Sequence, residues 1–484
     1  MFTLAECIFD LQVNDINEIP SMSHLFLRIR FSLVLIIVFI ISNPSSATTI
    51  PDTKQQVLSI IKKVNDYWQT NNSYAVSSFW DRAAYHTGNM EAYAVTGNEA
   101  YRTYSENWAK YNNWIGATGT NKSRWKYTYG EGGDYVLFGD NQICFQTYLD
   151  LNNLAPDPQK TARAIEVMGY EIASTRKDYW WWADGLYMVM PVMTKMYKLT
   201  GNQLYLDKLY EYFNYADSIM YDPVEKLYYR DGSYVYPSHT TLSGKKDFWA
   251  RGDGWVFAGL AKVLKDLPLT DIHRPLYEAR FKDMAAALIQ IQQPEGYWTR
   301  SLLDPAQADG RETSGTAFFT YGLLWGINNG YLDKTTYLPA AALGWSYLST
   351  IALQPNGSVG YVQPIGSAAV PGQSVTATNT ANFGVGAFLL AASELTRLTD
   401  IISGTDKISE NSQDIQVYPN PVTTELTIEC TSGLSGNIDL FDLSGKLVIS
   451  SKSDHQKKVL DIMAFSPGVY VIRANHETFR VVKK

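Results

Sequence analysis

Two stretches far apart in the chain share one punctuation mark. YAVTGNEAYRTYSENWAKY (93–111) and YKLTGNQLYLDKLYEYFNY (197–215) each end an amphipathic run at Thr-Gly-Asn and resume with a tyrosine stripe. Glycine ends a helix in the left-handed region without a Cβ clash, and asparagine is a good cap for the helix that follows. Gly97 and Gly201 are therefore expected to close one helix of a hairpin, with Asn98 and Asn202 opening the next. The two signals lie 104 residues apart, or two units of about 52, a recurrence that marks stacked helical pairs. Residues 52–398 have room for about six pairs, the number that closes an all-α (α/α)6 toroid. A linear solenoid is the alternative.

Between the hairpins run long polar segments: 128–142, 227–255 and 295–317. Loops of this length in a compact domain usually carry function. All three combine carboxylates, arginine and aromatic residues. Aromatic content is 13%, mostly 33 Tyr and 13 Trp. Such rings pair a flat apolar face with a polar tip, which suits sugars but also helix packing. A net charge of −7 argues against a nucleic-acid partner.

The two ends of the chain read differently. Arg28 and Arg30 precede the apolar run FSLVLIIVFII (31–41) and then SNPSSA, the pattern of a secretory leader cleaved after Ala47. The run is short for a bilayer span, so no stable membrane insertion is expected after cleavage; an uncleaved anchor is the alternative. Met22 is a second plausible start. Past Arg397, SGTDKISENSQD (403–414) reads as a linker. Short alternating strands follow, such as LTIEC (426–430) and VYVIRA (469–474), and predict a small C-terminal all-β sandwich. The expected units are a leader at 1–47, a helical domain at 48–402, the linker, and a sandwich at 415–484. Cys7, Cys144 and Cys430 make neither a disulfide framework nor a metal site.

The chemistry gathers where helices should begin. DYWWWADGLYM (178–188) sets three consecutive tryptophans before Asp184. Their side chains must diverge, so at least one is expected to face a cavity or solvent. Leu186, Met190, Met193 and Tyr197 then share a helix face. Asp184 is either the cap of that helix or a general acid/base whose pKa the indoles raise. Asp140, in FGDNQ, offers a second carboxylate ahead of another apolar run. Paired carboxylates are what glycosidic chemistry commonly uses. In FWARGDGWVFAGLAKVL (248–264), Arg251 and Trp255 are four apart and share a helix face. A guanidinium fork there suits a ligand carboxylate, with a ring beside it for a sugar plane. The alternative is an ion pair of Arg251 with Asp253. His86 and His239 stand alone and are expected at the surface or against substrate. No metal-ligand spacing occurs, and no cofactor is expected.

These segments carry a resemblance. WWADGLYM (181–188), FWARGDGW (248–255), RETSGTAFFTYGLLWGI (311–327) and NFGVGAFLLAASEL (382–395) form an ordered set. It resembles the unsaturated rhamnogalacturonyl and unsaturated glucuronyl hydrolases of glycoside hydrolase families 105 and 88. The resemblance implies that Asp184 is the catalytic acid/base and that Asp140 is the carboxylate of an earlier helix start. Arg251 and Trp255 would contact substrate, with Trp182, Trp249, Arg230 and His239 lining the same site. Arg230 stands where some relatives have histidine, which leaves the sugar and its linkage open. The implied reaction hydrates a 4,5-unsaturated uronic acid at the non-reducing end of an oligosaccharide and needs neither metal nor nucleotide. A hydrolase of saturated glycosides and a non-catalytic glycan-binding protein are the alternatives. At the C-terminus, VYPNPVTTELTI (417–428), LFDLSGKLV (440–448) and FSPGVYVIR (465–473) resemble the type IX sorting domain of Bacteroidetes. That implies the type IX secretion machinery as partner and a secreted or cell-surface enzyme exported through the periplasm. A carbohydrate-binding module is the alternative, disfavoured because residues 415–484 contain no Trp.

Overall fold

The computed structural model describes residues 52–406 and 415–484, apart from 431–432, 435, 443–446, 454 and 475–476. The expected leader, its cleavage point and residues 407–414 of the expected linker lie outside them.

Among the described residues, twelve α-helices alternate between two rings. The outer ring holds α1 (Lys54–Asn71), α3 (Glu99–Tyr111), α5 (Pro158–Ile172), α7 (Leu204–Met220), α9 (Arg274–Leu288) and α11 (Lys334–Tyr347). The inner ring holds α2 (Trp80–Thr96), α4 (Cys144–Leu154), α6 (Ala183–Thr200), α8 (Ala250–Asp266), α10 (Thr313–Asn328) and α12 (Asn382–Asp406). Side-chain pattern sorts them. In α1 one stripe is buried, built on Val57, Ile61, Val64 and Trp68, while α10 is buried on every side from Thr313 to Ile327. A striped helix coats a core, and one that is buried all round lies within it.

The glycines of both Thr-Gly-Asn turns do what they predict, and Asn98 caps α3, whereas at α7 the cap position falls one residue later, on Gln203. Gly97 (φ 64°) and Gly201 (φ 68°) sit in the left-handed region, their N–H groups donating to the carbonyls of Tyr93 and Tyr197. The Asn98 and Asn202 side chains accept from the amides of Ala100 and Leu204, each at 3.1 Å. Both turns join an inner helix to the next outer one.

The ring is closed. Each inner helix packs on the next, and α12 packs on both α2 and α1, so a linear solenoid is excluded. Closure brings backbone against backbone: a Cβ added at Gly88 would lie 2.1 Å from the carbonyl oxygen of Gly386. Because an outer helix returns the chain between successive inner ones, the inner helices run parallel. Their N-termini therefore open at one end, where the predicted site residues sit. At the far end of the chain's helical unit, α12 continues to Asp406, into the stretch expected to be linker from 403. Extending an existing helix adds a hydrogen bond for each residue ordered, so a polar composition alone did not locate its end.

The C-terminal unit has two antiparallel sheets. One orders β3 (Ile415–Tyr418), β4 (Glu425–Cys430) and β7 (Lys457–Asp461); the other orders β6 (Leu447–Ser453), β5 (Gly436–Asp442), β8 (Gly468–Ala474) and β9 (Glu477–Lys483). Leu426, Ile428, Leu440, Leu460, Ile472 and Val481 form one core between them, as the alternation predicts. No helix among the described residues is long and apolar enough to cross a membrane.

Candidate active site

Helix α6 begins at Ala183, so Trp182 holds the cap position, with no side-chain cap bond, and Asp184 lies inside the first turn. The cap reading of Asp184 is thereby corrected. The segment before α6 is pinned by the loop after the short hairpin β1 (Tyr221–Asp222)/β2 (Leu227–Tyr228): the Ala183 amide donates to the Arg230 carbonyl at 2.8 Å, and Trp182 pairs with Asp231. The three indoles do not all diverge, since the Trp181 and Trp182 rings lie 4.9 Å apart. Trp180 is buried edge-on to Tyr212, and Trp182 is buried flat against Phe138 at 4.8 Å. Trp181 is half-buried, with the Arg230 guanidinium 5.7 Å from its ring centre.

One indole sets the two carboxyls in relation. A Cβ at Gly139 would meet the Trp182 ring at 3.1 Å, and one at Gly185 would meet it at 3.0 Å. The two glycines precede Asp140 and follow Asp184, so the backbone next to each aspartate packs on the same ring, and Asp184 is close enough for its charge to act on Asp140. Asp140 is buried and Asp184 half-buried. Asp140 Oδ1 and Asp184 Oδ2 are sealed, without a hydrogen-bond partner among the described residues. Burial pushes the Asp140 carboxyl well above the usual range, and the neighbouring Asp184 adds to it. Burial also raises Asp184, while Arg230 and then Arg251 hold it back. Both shifts run the same way. A carboxyl whose folded pKa is raised keeps its proton in the fold, so it costs stability as pH rises from the unfolded value through the folded one. What is gained is an acid that stays protonated closer to neutral pH, as general acid catalysis requires.

Arg251, Trp249 and Trp255 lie at the start of α8. Arg251 is 1% exposed. Its Nη1 donates to the Gln363 carbonyl at 2.8 Å, and Nη2 donates to Pro364 and Gly366 carbonyls at 3.0 and 3.3 Å. Trp249 and Phe383 rings lie 4.5 and 4.6 Å from the guanidinium carbon. The pairing with Asp253 does not occur: Asp253 Oδ1 accepts from the Tyr228 amide at 2.8 Å, and Oδ2 is sealed without a partner. Burial pushes Arg251 down to about 10, against the pull of Glu312 and Asp184. Trp255 shares the Phe383 contact with Arg251, as the four-residue spacing predicts, but it is 0% exposed among Tyr187, Phe318 and Trp80. It forms the floor beneath the site and offers no open face for a sugar, because inner-helix positions one turn below the mouth are enclosed by the ring.

The histidines separate. His239 is half-buried with Nε2 2.8 Å from Asp247 Oδ2. His86 is corrected to a core residue: its ring lies flat on Trp108 at 3.8 Å, Nδ1 meets Ser105 at 2.9 Å, and burial keeps it neutral.

Two residues of the site escaped the sequence reading. Glu312 caps α10 by accepting from the amides of Ser314 and Gly315, and its Oε1 also accepts from the Gln363 amide at 3.1 Å. Gln363 Oε1 accepts from Trp249 Nε1 at 2.9 Å. Together with Arg251 they lash segment 363–366 to the starts of α8 and α10. Glutamate is not among the favoured caps, and Gln363 lies in a long loop, so only the quoted RETSGTA segment hinted at either.

Arg251→Lys is consequently expected to destabilise the protein. A lysine keeps the charge but not the fork, and cannot reach three carbonyls at once. Losing one charged hydrogen bond costs about 1.5–3 kcal/mol, to be read as a lower denaturation midpoint. An unchanged midpoint would show that the lashing contributes nothing.

Beside the mouth runs a groove of ≈ 800 Å³ between Tyr67, Asn71, Asp81, Pro364 and Asn382. A second cavity of ≈ 510 Å³, at the opposite ends of the inner helices, holds none of the predicted site residues. Its cations, such as Lys265 with Glu91 and Lys195 with Asp150, are paired and complement helix C-termini.

Comparison with known proteins gives two family matches. The family described as Glycosyl Hydrolase Family 88 matches residues 54–399, and the secretion system C-terminal sorting domain matches 416–484. The unsaturated 3S-rhamnoglycuronyl hydrolase of Formosa agariphila is 33% identical over 338 residues, covering 66% of this chain and 85% of that protein. Among solved structures, a glycosyl hydrolase family 88 protein from Bacteroides vulgatus is 58% identical, with a TM-score of 0.71, covering 72% of this chain and 99% of that one. A structure described as a polysaccharide lyase is 63% identical, with a TM-score of 0.70, covering 72% and 98%.

Proposed function

The chain belongs to glycosyl hydrolase family 88, and from that membership we propose that it releases a 4,5-unsaturated uronic acid from the non-reducing end of lyase-generated oligosaccharides. One observation carries the reading: Asp140 and Asp184 lie close enough for the charge of one to act on the other, each with a sealed oxygen that has no partner among the described residues.

In this mechanism Asp184 gives its proton to C4, and water adds at C5 as its own proton passes to Asp184. The C4=C5 bond becomes single and C5 a hemiketal. Ring opening breaks the bond from C5 to the ring oxygen, and the hemiacetal left at C1 collapses, releasing the neighbouring sugar as an alcohol. Asp140 orients the water or a sugar hydroxyl. Arg230 is better placed for the uronate carboxylate than Arg251, because among the described residues only its Nη1 is paired, with Asp231, whereas the Arg251 fork is spent on three carbonyls. Trp181 and His239, both half-buried, line the approach, the buried Trp182 and Trp249 back it, and the groove beside Asp81 has room for the departing sugar.

Hydrolysis of a saturated glycoside fits less well. Direct displacement needs an ionised carboxylate beside a protonated one, and burial disfavours ionisation of both aspartates here. The name of the 63% identical relative prompts a second reading, elimination by a lyase. Elimination needs a base to take the C5 proton, and burial that favours the protonated form of both carboxyls works against that role.

The sign of an absorbance change decides. Incubation with lyase-generated oligosaccharides from pectin, ulvan and glycosaminoglycans should bleach the near-ultraviolet band of the unsaturated uronide. A rise on the parent polysaccharides would mean a lyase. Reducing ends released without bleaching would mean a saturated-glycoside hydrolase, and no change on any substrate would leave a glycan-binding protein.

The sorting domain supports export to the cell surface or medium; the periplasmic route is part of the proposal. Deleting residues 415–484 is expected to leave kcat and KM of the helical unit unchanged, because each unit has its own core. In a native-type host the truncated enzyme should accumulate in the periplasm. Normal secretion with weaker action on polymeric substrate would instead make the sandwich a carbohydrate-binding module.

A further inference from the structure

Glu171 lies on the outer helix α5 and is 0% exposed. No part of the proposed reaction uses it. Its Oε2 accepts from Gln142 Nε2 at 2.6 Å, a buried bond between the two side chains. The other half of the pair is incomplete: Glu171 Oε1 and Gln142 Oε1 are both sealed and have no partner among the described residues. Two acceptors cannot satisfy each other, and each orphan costs about 1–3 kcal/mol. One proton resolves both. Carried on Glu171 Oε1 it can be donated to Gln142 Oε1, closing the two-point ring that a carboxylic acid makes with an amide.

What surrounds Glu171 favours that proton. The groups acting on it are Gln142, the Trp180 indole N–H, and the phenols of Tyr179 and Tyr212, with no cation among them. Burial pushes the carboxyl up to about 8. The Trp180 N–H comes near enough to favour the ionised form but makes no hydrogen bond to it.

The place of the pair gives it a consequence. Gln142 closes the turn Gly139–Asn141, its amide donating to the Gly139 carbonyl at 2.9 Å, and Asp140 is the middle residue of that turn. Trp180 opens the segment that ends at Asp184. Tyr212 ties the second side down, donating to the Glu171 carbonyl at 2.9 Å and packing edge-on against Trp180 at 5.2 Å. Glu171 therefore stands behind both segments that present the reacting carboxyls. We infer that Glu171 is a positioning residue, a neutral carboxylic acid whose two-point pairing with Gln142 holds Asp140 in register with Asp184. This rests on the reading that those two aspartates carry the reaction.

The test compares Glu171→Gln and Glu171→Ala in the full chain. Glutamine can make the same two-point pair as an amide and cannot ionise. E171Q should keep kcat at neutral pH within about twofold and lack the step that ionisation of Glu171, opening the ring, is expected to add to the alkaline decline of the wild type near pH 8. E171A leaves Gln142 loose and should lower kcat about 10- to 10²-fold with KM little changed, the scale of a misplaced catalytic group. A second readout needs no substrate. The folded carboxyl titrates near 8 and the unfolded one near 4.5, so the wild type should lose melting temperature relative to E171Q as pH rises between those values, and hold level above. Parallel melting curves would overturn the held proton. Wild-type kcat in E171A, or an unchanged alkaline limb in E171Q, would overturn the positioning role. If no uronide is turned over, the proposed reaction fails while the melting comparison still decides the proton.

Discussion

Asp184→Asn should lower turnover by ~10²–10⁴-fold, the usual loss when a general acid/base is removed, with little change in stability. Asparagine is isosteric with aspartate and keeps the first turn of α6 intact, since the cap position belongs to Trp182. The variant forgoes the attraction of a carboxylate to a helix N-terminus, worth about 0.3–1 kcal/mol. It also escapes the burial that raises the carboxyl's pKa, so the two effects oppose. The amide cannot give a proton to C4. Turnover and melting temperature measured on one preparation make the check. More than a tenth of wild-type activity would return the acid role to Asp140, and a collapsed melting temperature would make Asp184 a structural residue.

A large stability effect is also expected from a single methyl group. A Cβ at Gly386 would sit 2.4 Å from the Ala84 carbonyl oxygen and 2.9 Å from the Tyr85 Cα. Both obstacles are backbone, so no side chain can swing aside. Gly386→Ala must push α12 away from α2, and overpacking of this kind costs about 1–3 kcal/mol, occasionally more. Helix propensity works the other way, by about 1 kcal/mol in favour of alanine, and is outweighed because the clash is at the ring's closing contact. Gly169 in α5 is the control, since nothing lies within 4 Å of a Cβ there. Gly169→Ala should raise stability by about 0.5–1 kcal/mol. Urea midpoints measure both. Shifts of the same sign would mean that the close approach of α2 and α12 does not constrain the ring.

What the sequence made legible was local. Gly97 and Gly201 declared themselves by the backbone conformation they permit, and their spacing carried the repeat. Asp140 and Asp184 could be picked out because each stands where a loop becomes a helix. Partners far along the chain were not legible. Helical spacing put Arg251 and Trp255 on one face correctly, but not that Gln363, Pro364 and Gly366 would fill the arginine's fork. It also could not show that the ring would enclose Trp255. His86 was misplaced for the same reason, since its stacking partner Trp108 and its bond to Ser105 come from the neighbouring helix. Glu171 left no trace at all: it lies in no motif and owes its chemistry to Gln142, 29 residues earlier.

The closing contact also imposes a timetable. Because α12 takes α1 as its outer partner, the last hairpin of the ring is assembled from the two ends of the domain. A chain synthesised from its N-terminus must keep α1 and α2 waiting while five further pairs of elements emerge. Contacts so distant in sequence are the slow ones to form, since their loop-closure entropy must be met first. The sorting domain, matched from residue 416, comes after α12 in the chain. Closure of the ring thus waits on its last helix, so the mouth formed by the inner N-termini is complete only when all but the sorting domain has been made.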